Sequence, residues 1–132
     1  MTLRTLPTIA AITSLFFGGV GLLAPQMLAR TFGVESDMTA TATTLARLAS
    51  AAYIGYAVLA WLARDVSDPA AWRAVAAANT VSWTLSAVVA VFALSSGVGS
   101  AAAWAVIALQ VAFAVAWSLS FMRRPIAVAA AG

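Results

Sequence analysis

Apolar positions run in four long blocks, at about residues 6–24, 38–63, 69–95 and 101–122, broken only by single Ser, Thr, Asn, Gln or Arg residues. Nearly all the charged residues gather in the short stretches between the blocks. A helix needs about 20 predominantly apolar residues to cross a hydrocarbon core of about 30 Å. The pattern therefore predicts an all-α fold, an integral membrane four-helix bundle, in one domain over residues 1–132.

The connections carry their own signals. Between Pro25 and Asp37 a plain loop would expose Met27, Leu28, Phe32 and Val34 to water, so a short interfacial helix over 25–33 is predicted. Pro25 suits its first turn, Arg30 points outward and Gly33 ends it in a left-handed cap. Ser36 or Asp37 then caps the second span, whose first turns stand in the interface because the segment exceeds a perpendicular crossing. Asp68 followed by Pro69 is an N-cap and first-turn pair, with Ser67 as the other candidate cap. Ser96-Gly97-Val98-Gly99-Ser100 is an uncharged connector, and Arg123-Arg124-Pro125 stops the last helix before a tail over 125–132. In the first span Pro7 sits in the first turn, and Gly18, Gly19 and Gly21 either permit close packing or loosen the helix ahead of Pro25.

Composition sharpens this picture. The 132 residues are 64% hydrophobic and 8% charged, against about 25% charged in soluble domains. All 7 basic residues are arginine, and they are scattered, which excludes a nucleic-acid footprint. Arg4, Arg64, Arg73, Arg123 and Arg124 fall on one side of the spans and Arg30 on the other, which places both termini in the cytoplasm and the chain in the cell inner (cytoplasmic) membrane. Trp61, Trp72 and Trp117 then lie towards the cytoplasmic interface, Trp104 towards the opposite one, and Trp83 deeper. The first apolar run is too long for a signal-peptide core and ends in Leu22-Leu23-Ala24-Pro25, a poor cleavage site, so it is read as a retained helix. Without Cys or His there are no disulfides, and histidine-based metal or haem ligation is excluded. No metal or cofactor is expected.

Small residues recur at four-residue spacing in Ala70, Ala74, Ala78, Ser82, Ser86 and Ala90, and in Ala108, Ala112, Ala116 and Ser120, as expected of ridges that let membrane helices approach. Gly55, Ala51, Ala78 and Ala112 are the packing residues this predicts. Arg47 is the charged residue well inside a span, Arg73 standing only in the first turn or so of the third, at the membrane surface. Counting along the helices puts Gln110, Ser86 and Ser14 near its depth, while Asn79 and Ser82 share a stripe with Ser86 and the second span adds Tyr53 and Tyr56. These residues suit a polar intramembrane pocket for an anionic or carbonyl-bearing amphiphile such as a lipid, fatty acid or quinone. The competing reading has Arg47 snorkelling to the surface to pair with Glu35 or Asp37, with Gln110, Asn79 and the serines as interhelical hydrogen-bond partners. No acid, lysine or histidine lies in a span, which argues against a coupling carboxylate, a Schiff base and a serine hydrolase. The expectation is a non-catalytic accessory or scaffold subunit, packing with other membrane proteins or with itself in the bilayer. The alternatives are an amphiphile carrier, or an oligomeric channel with Arg47 setting anion preference.

Pro25-Gln26-Met27-Leu28, Phe32-Gly33-Val34, Ala46-Arg47-Leu48, Gly55 and Trp61-Leu62-Ala63-Arg64, in that order, resemble the layout of small four-helix bacterial membrane proteins of the DoxX-like kind. The resemblance implies a four-helix bundle with Arg47 as its distinctive residue.

Overall fold

The computed structural model describes residues 4–34, 37–97 and 99–122. The predicted stop at Arg123-Arg124-Pro125, the tail, the Ser36 cap and the Glu35 partner for Arg47 lie outside these residues.

Among the described residues five helices follow one another: α1 (Thr5–Leu23), α2 (Pro25–Thr31), α3 (Ala40–Ala63), α4 (Pro69–Ser95) and α5 (Ala101–Met122). The four longer ones have the length and apolar character to span a bilayer. Ala24, with φ −137° and ψ 59°, breaks α1 from α2, and Pro25 opens α2 where its missing N–H costs nothing. Gly33, at φ +87°, closes α2: its N–H donates to the Arg30 carbonyl at 3.0 Å, and that of Val34 to the Ala29 carbonyl at 3.0 Å. This pair of bonds is a Schellman cap, which needs a left-handed residue at Gly33.

The α3 cap differs from expectation. The helix begins at Ala40, and Thr39 is its N-cap, accepting from the Ala42 N–H at 3.1 Å. Asp37 is committed elsewhere, 3.2 Å from the Arg30 guanidinium, and Gln26 Oε1 accepts from the Met38 N–H at 2.9 Å. With the chain pinned to α2 through Met38, Thr39 is the first residue free to turn into a helix. At α4, Asp68 accepts from the Ala71 N–H at 2.7 Å with Pro69 in the first turn, as the sequence predicts.

The bundle is built from two tight pairs, α1 on α3 and α4 on α5, with α2 lying across one end of the first. In α1 the buried positions Pro7, Ala11, Ser14, Gly18 and Gly21 alternate steps of four and three, and α3 answers with Ser50, Ala57 and Ala60. This left-handed seam lets the backbones close in. A Cβ on Gly18 would lie 2.8 Å from Ile54 Cγ1 and 2.9 Å from the Ser50 carbonyl oxygen, and one on Gly21 would overlap Ser50 Oγ. Packing is thus the role of Gly18 and Gly21, while Gly19 faces open space.

The second pair and the junction between pairs are aromatic. Trp83 stacks on Phe113 with centroids 4.6 Å apart and meets Tyr53 of α3 edge-on at 6.5 Å. Trp72 lies 5.9 Å from Trp117 and donates from Nε1 to the Ser120 carbonyl at 3.4 Å. Trp72 and Trp117 are therefore core residues, 3% and 0% exposed, near the end of the bundle at which Trp61 also lies. Trp61 is the exposed member of that group, with the Arg64 guanidinium 3.6 Å above its ring. The four-residue columns also fall off the core: Ala70, Ala74, Ala78, Ala108 and Ala112 are exposed, and the buried stripe of α4 is Trp72, Ala76, Asn79, Trp83 and Ala87. Steps of four drift about 40° around a helix of 3.6 residues per turn, whereas a seam mixes threes and fours. Ala51 and Gly55 are exposed for the same reason.

Candidate functional site

Two closely packed pairs meeting through bulky aromatic rings leave space between them. At the α2 end this space is a cavity of about 280 Å³, walled by Phe17 and Gly21 of α1, Leu28 of α2, Ser50 and Tyr53 of α3, Trp83 of α4 and Leu109 of α5. The wall is apolar, because Pro25, Leu28 and Ala29 form the α2 face turned inward. The cover is held from outside. Arg30 and Asp37 pair at 3.2 Å, and Ser100 Oγ, at the start of α5, donates to the Thr31 carbonyl at 3.0 Å. Gly33 lies so close to the Gly99 backbone that a Cβ would fall 2.8 Å from its carbonyl carbon.

Gln110 is the polar feature of this cavity. It is 8% exposed, and its Oε1 is buried without a hydrogen-bond partner. An unsatisfied buried polar atom of this kind costs about 1–3 kcal/mol. Ser50, in the same wall, spends its hydroxyl on the Ala46 carbonyl at 2.7 Å, the usual solution on a membrane helix. The buried Trp117 Nε1 also lacks a partner, but it sits in the aromatic core and lines none of the cavities described.

Nearer the middle of α4 a second, much smaller cavity of about 10 Å³ collects Ser14, Tyr53, Tyr56, Asn79, Ser82 and Ser86. A lipid-facing groove of about 810 Å³ between α3 and α4 shares Tyr53, Tyr56, Ser82 and Ser86 with this cavity, and Gln110 reaches it too. Six of the seven residues expected to form a polar layer, namely Gln110, Ser86, Ser82, Asn79, Tyr53 and Tyr56, thus line neighbouring spaces that share walls.

Arg47 is the exception. It is exposed and lines none of these spaces, although its neighbour Ala46 walls the larger cavity. Successive residues of a helix point about 100° apart, so a shared depth leaves the direction open. Arg47 lies on the outer flank with Ala51 and Gly55, one position off the buried face. From there its long stem can carry the guanidinium towards the polar end of α3. Asp37 is engaged by Arg30. What the sequence reading missed is the apolar chamber itself and the part of α2 in closing it; the signal available was the run Pro25, Leu28, Ala29, Phe32 on one side of a short helix.

Four apolar spans around a shared interior define a multi-pass helical membrane protein. No family model, curated protein or solved structure matches the chain.

Proposed function

We propose that this protein is a non-catalytic binder of an amphiphilic lipid, held in the chamber between the helix pairs. The observation that carries this reading is Gln110 Oε1, buried and unpaired at the wall of an apolar cavity of about 280 Å³. Apolar walls with one or two placed polar groups are the usual make-up of small-molecule sites, and a ligand that donates to Gln110 would remove the penalty of its isolation. The arginines support a cytoplasmic-membrane location with both termini inside, since Arg4, Arg64 and Arg73 all stand at the end of the bundle away from α2.

The test is native mass spectrometry of the gently extracted protein, comparing wild type with Val106→Trp, which fills the chamber from α5. A lipid retained at about one per chain in the wild type and lost in the variant is expected. A wild type that arrives empty would sink the proposal.

A second reading, an accessory subunit that packs against other chains or copies of itself, draws on Gly55. It is exposed on a flank with Ala51, and a Cβ there would meet nothing. Such a surface leaves room for a neighbouring helix.

A further inference from the structure

Five hydroxyl groups between α1, α3 and α4 are unspent. Ser50, Thr80 and Ser118 donate to the carbonyl four residues back, at 2.7, 2.8 and 2.8 Å. Ser14, Tyr53, Tyr56, Ser82 and Ser86 make no such bond, nor any other side-chain hydrogen bond among the described residues. They nevertheless converge on one small cavity, whose volume of about 10 Å³ is close to that of a single water-sized sphere. In the hydrocarbon region a hydroxyl without a partner is costly. None of the five is among the fully enclosed unpaired atoms, so each keeps surface open to a partner from outside the chain.

The route to that partner is the groove between α3 and α4. The two helices are joined by a short turn after Ala63 yet touch only sparingly along their length, so they splay apart and the gap faces lipid. The groove is lined by Val81, Leu85 and Val89 on α4 together with Tyr53, Tyr56, Ser82, Ser86 and Gln110. Among the described residues no arginine or carboxylate lines it, and Arg47 lines neither this groove nor the polar cavity. A charged head group brought here would be desolvated with nothing of opposite sign to meet it. A neutral one would find hydroxyls able both to donate and to accept.

We infer that the α3–α4 groove is a lateral binding site for an uncharged lipid with a hydroxyl- and ester-bearing head, of the diacylglycerol type. Its head is taken by Tyr53, Tyr56, Ser82 and Ser86, and its chains lie along the valine and leucine wall and past Gln110 into the chamber. This inference rests on the lipid-binding reading above and adds the class of lipid, its head-group subsite and its way in.

Trp83 lines both the chamber and the polar cavity, so the binding can be read from tryptophan quenching. The full chain in detergent is titrated with dioleoylglycerol and, separately, with dioleoyl phosphatidic acid, both brominated on their chains. The neutral lipid is expected to quench at a concentration at least tenfold lower. The triple variant Tyr53→Phe, Ser82→Ala, Ser86→Ala, which removes hydroxyls and keeps the apolar walls, should bring the two lipids within about twofold. Tyr56→Phe alone, at a partly exposed position, should reduce the preference about threefold, and it serves if the triple variant does not fold. Equal quenching by the two lipids, tighter binding of the phosphatidic acid, or a preference that survives these substitutions overturns the neutral-head site while leaving the chamber reading standing. Quenching by neither lipid overturns both.

Discussion

Replacing Gln110 by leucine should act with opposite signs on the empty and the occupied protein. In the empty protein the amide oxygen is buried and unpaired, a state that costs about 1–3 kcal/mol. Leucine has a similar size and presents only apolar atoms to Phe17, Leu28 and Leu109, so the penalty disappears and nothing is left unsatisfied. For a chain of this length each kcal/mol moves the unfolding midpoint by about 2–8 °C, so the delipidated variant should melt higher by several degrees. The lipid-bound protein loses a hydrogen bond with a net worth of about 0.5–1.5 kcal/mol, which corresponds to a loss of affinity of about 2- to 12-fold. Thermal unfolding of delipidated protein in detergent, followed by tryptophan emission, gives the first quantity, and quenching by a brominated lipid gives the second. A variant that melts lower when empty would show that Gln110 is a structural hydrogen-bonding residue and that its isolation is misread. A variant that melts higher but binds lipid as the wild type does would show that the amide plays no part in the site. Gain of stability together with loss of ligand is the behaviour expected of a functional group that the fold accommodates at its own expense.

The glycines of the first helix should separate cleanly. Gly18→Ala and Gly21→Ala press a methyl group into Ser50 and Ile54 and should each lower stability by about 1–3 kcal/mol. Gly19→Ala and Gly55→Ala enter open space and should be neutral or stabilising by up to about 1 kcal/mol; detergent-denaturant titration of the four variants measures all of this, and a neutral Gly18→Ala would refute the close α1–α3 seam. Arg47→Leu removes an exposed side chain that lines none of the cavities described, so lipid retention in native mass spectra should stay within about twofold of wild type. Loss of lipid in that variant would return Arg47 to the site.

The long helices were legible because their cause is local. An apolar stretch of sufficient length must satisfy its own backbone in lipid, and helix formation does so without reference to any other segment. The starts at Pro69 and Ala101, the end of α2 at Gly33 and the Asp68 cap follow from residues within a turn or two of each boundary. Where a boundary moved, at Ala40, the reason was tertiary: Asp37 and Met38 are held by Arg30 and Gln26 of α2. Counts along the helices and shared helix faces grouped six polar residues that line the cavities, while Arg47, Ala51, Gly55, Ala78 and Ala112 are exposed on the outside of the bundle. Depth is a count of residues at 1.5 Å each, and it survives any rotation of a helix about its axis. Facing is set by which neighbour a helix meets. The glycine seam of α1 turned α3 so that Ser50 and Tyr53 point inward, and that single rotation put Arg47 outside and opened an apolar chamber beneath α2. The sequence by itself determined the four long apolar helices, the Asp68 cap and the level at which polar groups lie, because each depends on nearby residues. Only the tertiary structure decided which of those groups share a space, because that depends on how closely Gly18 and Gly21 let two backbones approach and how far Trp83 and Phe113 hold the pairs apart.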